Sequence, residues 1–134
     1  PFRIPFWGSW NAAPARPLGP ALAAAIDLLV VNAVEAAMLT ETLEPRSLGE
    51  AEAAAKRLAR DFPQVVVTAG GAGLAFASGK RSFTVAAEPV KVVSTHGAGD
   101  TFVGALAAAL AGGETIEAAL AAANHAAALL VSGR

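Results

Sequence analysis

Gly97-Ala98-Gly99-Asp100 runs directly into the alanine-rich stretch "TFVGALAAAL". Glycines before a helix let a ligand come close to the backbone. Successive N–H groups at a helix start attract an anion, and the helix dipole adds to that attraction. An aspartate in the first turn can do chemistry there: it can accept a proton from an attacking hydroxyl while a phosphoryl group sits over the N–H groups. The alternative is structural, because many helices begin with a glycine loop and an acidic residue. Two familiar phosphate motifs are absent. No Gly-Lys-Ser/Thr follows the glycines. Gly97 and Gly99 are followed next by Gly104, which breaks the G-x-G-x-x-G spacing.

Three further constellations carry polar chemistry. Asn32 and Glu35 follow the apolar run "DLLVV" and fit a capping box, or a ligand site at the carboxyl end of a parallel strand. In that second reading Glu35 holds Mg²⁺ through water, since the ion keeps much of its hydration. "TAGGAG", Thr68 to Gly73, follows another apolar run. Its glycines allow close backbone approach and its Thr hydroxyl can bind a phosphate or ribose, unless it is a plain strand-to-hairpin turn. Asn124-His125 interrupts an alanine helix, where the His reads as a packed or capping side chain and the Asn amide needs partners. Three of these sites are expected at the carboxyl ends of separate strands, where one ligand can touch them all.

The elements that must hold these residues follow from periodicity and punctuation. The opening "PFRIPFWGSW", residues 1–10, reads as irregular, because Pro5 and Gly8 interrupt any strand. "NAAPARPLGP" reads as a proline-rich loop, residues 20–26 as a short helix, and 27–31 as a buried parallel strand. A helical pattern follows Asn32, with Met38 and its neighbours as core. The next helix starts at a capping box of Ser47 and Glu50 and buries Leu48, Ala51, Ala55, Leu58 and Phe62. "QVVVTAGG" is a second buried strand, and two alternating stretches around Ser78-Gly79-Lys80 form a hairpin. "VKVVST" reads as a further strand, and helices follow over 98–111 and 115–131. Strand–helix alternation predicts an α/β fold, a mostly parallel sheet with helices on both faces, in one partial domain over residues 1–134.

Composition narrows the partners. The chain of 134 residues carries 10 basic and 11 acidic side chains, so it presents no basic field for nucleic acid or acidic membranes. No run reaches the ~20 apolar residues of a transmembrane helix, so the expectation is a soluble protein without membrane contact. Cysteine is absent, which excludes disulfides and thiolate metal sites and is compatible with a cytoplasmic location. The N-terminus lacks the continuous apolar core of a signal peptide.

The order of these motifs resembles the ribokinase-like (PfkB-type) carbohydrate kinase family. "STHGAGDTFVGALAAAL" is similar to that family's C-terminal signature, D-T-x-G-A-G-D-x-F-x-G-A. "VVNAVEAAML" resembles its N-x-x-E segment, "VVVTAGGAG" its T-x-G-x-x-G nucleotide loop, and "NAAPAR" its N-P-A-P-A segment. The resemblance runs from about Asn11 to Arg134. It implies a Rossmann-like three-layer fold, truncated here at the N-terminal half and at the C-terminus, and ATP-dependent phosphorylation of a sugar or nucleoside hydroxyl with Mg²⁺. By resemblance Asp100 is the catalytic base, and Gly97, Ala98 and Gly99 form the anion hole for the γ-phosphoryl group. Asn32 and Glu35 organise Mg²⁺ and the ATP phosphates. Thr68, Gly70 and Gly73 line the nucleotide, and Asn124 sits by the adenine. Homodimerisation of the parent protein is left open.

The chain departs from the family in two respects. Ser94 stands where the family most often has Asp, and His96 where Thr is common. That Asp is a monovalent-cation ligand in K⁺-dependent members, so cation activation is expected to be weak. Family members are also about twice this long, with their sugar-binding residues and small β lid in an N-terminal half. The alternative to a kinase half is therefore a catalytically inactive half-domain that binds nucleotide or a partner only. A vitamin-pyrimidine kinase of the same superfold is a further alternative, and those tend to carry a different residue where Asp100 stands.

Overall fold

The computed structural model describes residues 2–5, 10–11 and 26–133. The chain forms two compact units, Pro1–Ala86 and Ala87–Arg134.

The first unit is built on a six-stranded sheet in the order β2-β1-β3-β4-β5-β6. Its strands are β1 (Phe2–Pro5), β2 (Trp10–Asn11), β3 (Ile26–Asn32), β4 (Gln64–Thr68), β5 (Gly73–Ser78) and β6 (Ser82–Ala86). Helices α1 (Ala33–Thr40) and α2 (Leu48–Leu58) connect β3 to β4, and those two strands pair in parallel. The period-2 alternation is plain in the core. Leu29 and Val31 of β3, Val65 and Val67 of β4, and Ala75 and Ala77 of β5 share one buried cluster with Ala51, Ala55 and Leu58 of α2. Phe62, expected on the helix stripe, lies beyond the end of α2 but still packs against that cluster. The alternate residues Leu28, Val30, Val66, Leu74 and Phe76 are buried too, so the central strands are apolar on both faces.

The α/β class holds, but the sheet is mixed rather than mostly parallel. Parallel pairing is confined to β3 and β4; β1–β2, β1–β3, β4–β5 and β5–β6 are all antiparallel. The hairpin around Ser78 accounts for part of this. Ser78 N donates to Arg81 O at 2.8 Å, and the Ser78 hydroxyl accepts from Lys80 N and Arg81 N, closing a short turn.

Four more expectations need correction. Phe2–Pro5 is a strand, not irregular chain, and Trp10–Asn11 pairs with it. Pro5 is tolerated because β2 reaches only Phe2 and Arg3, and the register with β3 shifts between Ile4 and Pro5. Ile26 belongs to β3 rather than to a helix, while 20–25 and the "NAAPAR" side chains lie outside the described residues. Met38 is 74% exposed, because α1 buries only Ala36 and Thr40, one turn apart on another face. Finally, "VKVVST" forms no strand: the N–H groups of Val93 and Ser94 go to a helix carbonyl, that of Val131.

The second unit is a helical hairpin of α3 (Ala98–Ala111) and α4 (Ile116–Val131), packed against each other. Phe102, Val103 and Leu106 of α3 are buried, as are Ala119, Leu120, Ala123 and Ala128 of α4. Gly113, at φ 88°, turns the chain between them, and Thr115 caps α4 by accepting from Ala118 N at 3.2 Å.

Candidate active site

Each unit carries its own set of the residues singled out in the sequence. In the first unit, Asn32 ends β3 and Thr68 ends β4, and they are register partners in the parallel pair. Asn32 is also the N-cap of α1 in a complete capping box. Its Oδ1 accepts from Glu35 N at 2.8 Å, and Glu35 Oε1 accepts from Asn32 N at 3.0 Å. The box fixes the Glu35 carboxylate at the carboxyl end of the strand pair, where open α/β sheets bind ligands.

Beyond Thr68 the chain makes a single 3-10 turn, Gly70–Ala72, closed by Ala72 N donating to Ala69 O at 3.1 Å. Gly70 has φ 54°, and Gly73 has φ 125° with ψ −141°, a conformation open essentially to glycine alone. A Cβ added at Gly70 or Gly71 would meet nothing within 4 Å, so the turn offers bare backbone over open space.

In the second unit, Gly97 is the N-cap of α3 with φ 79°, and no side chain caps this helix. Ala98 N donates to Thr95 O at 3.2 Å, and Gly97 O accepts from Thr101 N at 3.0 Å. The amides of Gly99 and Asp100 occupy first-turn positions, which helix geometry leaves without an intrahelical acceptor. Gly99 is exposed and an added Cβ there meets nothing within 4 Å. Asp100 is exposed on the same first turn, its carboxylate close in sequence to the amides an anion would use. Asn124 lies half-buried on α4, beside the exposed His125.

The second capping box is only half formed. Ser47 Oγ accepts from Glu50 N at 3.1 Å, but Glu50 Oε1 takes Arg46 N at 2.8 Å instead of the N-cap amide. The loop before Asp100 follows an irregular segment, so it does not share the strand-end setting of the other two sites. Sequence reasoning also missed the contact of His125 Nδ1 with Glu88, at 3.0 Å from Oε1 and 3.1 Å from Oε2. The pair is 37 residues apart, beyond any helical or strand periodicity. Among the described residues no group of three or more His, Asp and Glu could hold a metal ion, and no helix is long and apolar enough to cross a membrane.

Ribokinase of Bacillus subtilis (strain 168) is 40% identical over 121 residues, which cover 90% of this chain and 38% of that protein. The chain thus spans about two fifths of that relative's length, 38%. The crystal structure of ribokinase from Thermotoga maritima superposes with a TM-score of 0.73 at 30% identity, covering 90% of this chain and 41% of the other. Phosphofructokinase-2 from Escherichia coli, solved in complex with substrates and products, gives a TM-score of 0.69 at 28% identity, over 79% of this chain and 35% of its own. The profile of the pfkB family carbohydrate kinases matches residues 2–134, and the chain, with its α/β ribokinase-like fold, belongs to that family.

Proposed function

We propose that this chain supplies the nucleotide-binding and catalytic part of an ATP-dependent carbohydrate kinase. The observation that carries the reading is the start of α3: an uncapped helix whose first-turn amides are free of side chains, with Asp100 on that same turn. Such a turn binds a transferring phosphoryl group through N–H donors and the helix dipole. Asp100 accepts the proton of the attacking sugar hydroxyl as the new O–P bond forms and the bond to the leaving ADP oxygen breaks. Gly97 holds the turn in its left-handed conformation, and Ala98 and Gly99 present the backbone to the anion.

By the family resemblance, Thr68, Gly70 and Gly73 would line the nucleotide, and Asn32 and Glu35 would hold a hydrated Mg²⁺ ion. A Mg²⁺ ion fits Glu35 as a hydrated ion. Glu35 Oε1 is engaged by the Asn32 amide, so the carboxylate is held in place and the ion would keep waters and phosphate oxygens as its other ligands. When bound, Mg²⁺ neutralises charge on the phosphates. Asn124 contacts the adenine. The acceptor is a sugar or nucleoside hydroxyl, and the working site is cytoplasmic and free of nucleic acid and membrane.

The test is Asp100→Asn in the complete gene product carrying these residues. The amide keeps the shape but cannot take a proton, so turnover should fall by about 10²–10⁴ while Mg·ATP affinity stays within about twofold. Near-normal turnover would return Asp100 to a purely helix-stabilising role.

A further inference from the structure

Between β6 and α3 the chain has no regular structure, and Pro89 to His96 are exposed, Val90, Val92 and Val93 among them. A valine-rich strap without a sheet partner needs other anchors. One lies at the end of α4, where Val131 O accepts from Val93 N at 2.6 Å and from Ser94 N at 3.1 Å. That carbonyl belongs to the last helical turn, which has no acceptor role left within the helix. The contact is reinforced by packing, since a Cβ at Gly133 would lie 3.6 Å from Val93.

The other anchor is the Glu88–His125 contact. An ionised carboxylate only accepts hydrogen bonds, so Nδ1 of His125 is the donor, reaching both oxygens. His125 precedes Val131 by nearly two helical turns, about 9 Å along the axis. The strap therefore runs beside α4 in the helix's own direction and ends at Gly97, where a Cβ would sit 3.7 Å from Leu130 Cδ2. One end of this path adjoins Asn124, and the other is the uncapped start of α3.

We propose that Glu88 and His125 form a clasp that sets the strap on α4, and that both are positioning residues for the turn Gly97–Asp100. The proposal rests on reading that turn as the site of the transferring phosphoryl group. The pair is solvent-exposed, with side chains 59% and 37% accessible, so it adds little to global stability. Its effect is local, on the single segment that leads into the turn.

The experiment compares His125→Ala, Glu88→Ala, their double variant and His125→Gln in the complete gene product. It reads amide hydrogen exchange at Val93 and Ser94 without ligand, affinity for a non-hydrolysable Mg·ATP analogue and the melting temperature. Each alanine variant should speed exchange and weaken the Mg·ATP analogue about three- to fivefold, the scale of an exposed pair, with melting unchanged. The double variant should be no worse than either single one, and His125→Gln, which keeps an N–H donor, should recover most of the loss. Unchanged exchange, or losses that add in the double variant, would overturn the clasp. Faster exchange with unchanged affinity for the Mg·ATP analogue would overturn the positioning role. A wild-type protein that does not bind the Mg·ATP analogue would remove the phosphoryl site and the positioning role with it, and exchange alone would then judge the tie between strap and helix.

Discussion

Asn32 and Thr68 stand opposite each other at the carboxyl ends of β3 and β4, the one parallel pair among the described strands. The register brings two polar side-chain positions from distant parts of the sequence to one end of the sheet. Each is followed at once by a sharp local structure: a capping box after Asn32, a glycine turn after Thr68.

Glu35 combines a structural and a chemical assignment, and these separate on substitution. Glu35→Gln keeps a side-chain oxygen for the Asn32 amide, so the capping box survives and stability should change by less than ~0.5 kcal/mol. Removing the charge should weaken Mg·ATP by about tenfold or more, read by titrating Mg²⁺ in a kinase assay. Glu35→Ala should lose both, with a stability cost of roughly 1 kcal/mol. A Gln variant with wild-type Mg²⁺ response would leave Glu35 a capping residue only.

Gly97 and Gly99 should fail in different ways. Gly97→Ala meets only an ordinary contact with Leu130, but its φ of 79° is left-handed, so the cost is in the backbone, about 1–2 kcal/mol. Gly99→Ala meets nothing and sits in a helix, so stability should hold or rise by roughly 0.5–1 kcal/mol. Its methyl group would nevertheless stand where the anion approaches. Nucleotide affinity should drop in a protein that melts no earlier, as calorimetry and ligand titration on the same sample would show.

Glu41 is the one non-glycine residue with positive φ among the described residues, at 56°, and it is the C-cap of α1. Glu41→Gly should stabilise the protein by about 1 kcal/mol, because glycine adopts this conformation without the Cβ clash. A rise in denaturant midpoint at constant slope is the expected signature. A fall would mean that the Glu41 side chain makes a compensating contact.

Activation by potassium should be weak. Ser94 offers a neutral hydroxyl, already accepting from His96 N at 3.2 Å, where a carboxylate would compensate the desolvated ion. Rates of the complete gene product in potassium and in tetramethylammonium should agree within about twofold. Strong potassium activation would reveal a replacement ligand.

The glycine and capping chemistry was legible because it is local. Ser47 and Asn32 each cap the helix that follows them, and Gly70, Gly73 and Gly97 each adopt a backbone conformation suited to glycine. Strand direction was less legible. "VVVT" reads as buried whichever way its neighbours run, and only the turn at Ser78 betrays an antiparallel partner. "VKVVST" has the composition of a strand, yet composition does not supply a neighbouring edge, and the amides of Val93 and Ser94 found the end of α4 instead. Met38 failed for a related reason: α1 is apolar around most of its circumference, so its pattern does not say which face is covered. The His125–Glu88 contact left no periodic trace at all.

The pairing of β3 with β4 also has a kinetic consequence. β4, β5 and β6 follow one another as a meander, closing short loops between Gln64 and Ala86. Leu29 meets Val65 only after both helices between them have been gathered in, a far longer loop to close. Loop-closure entropy therefore favours the meander with α2 as the early folded nucleus, with β3 adding afterwards. The alignment of Asn32 with Thr68 would then be among the last steps of folding. Substitutions in β3 should speed unfolding more than they slow folding, and those in β5 should do the reverse.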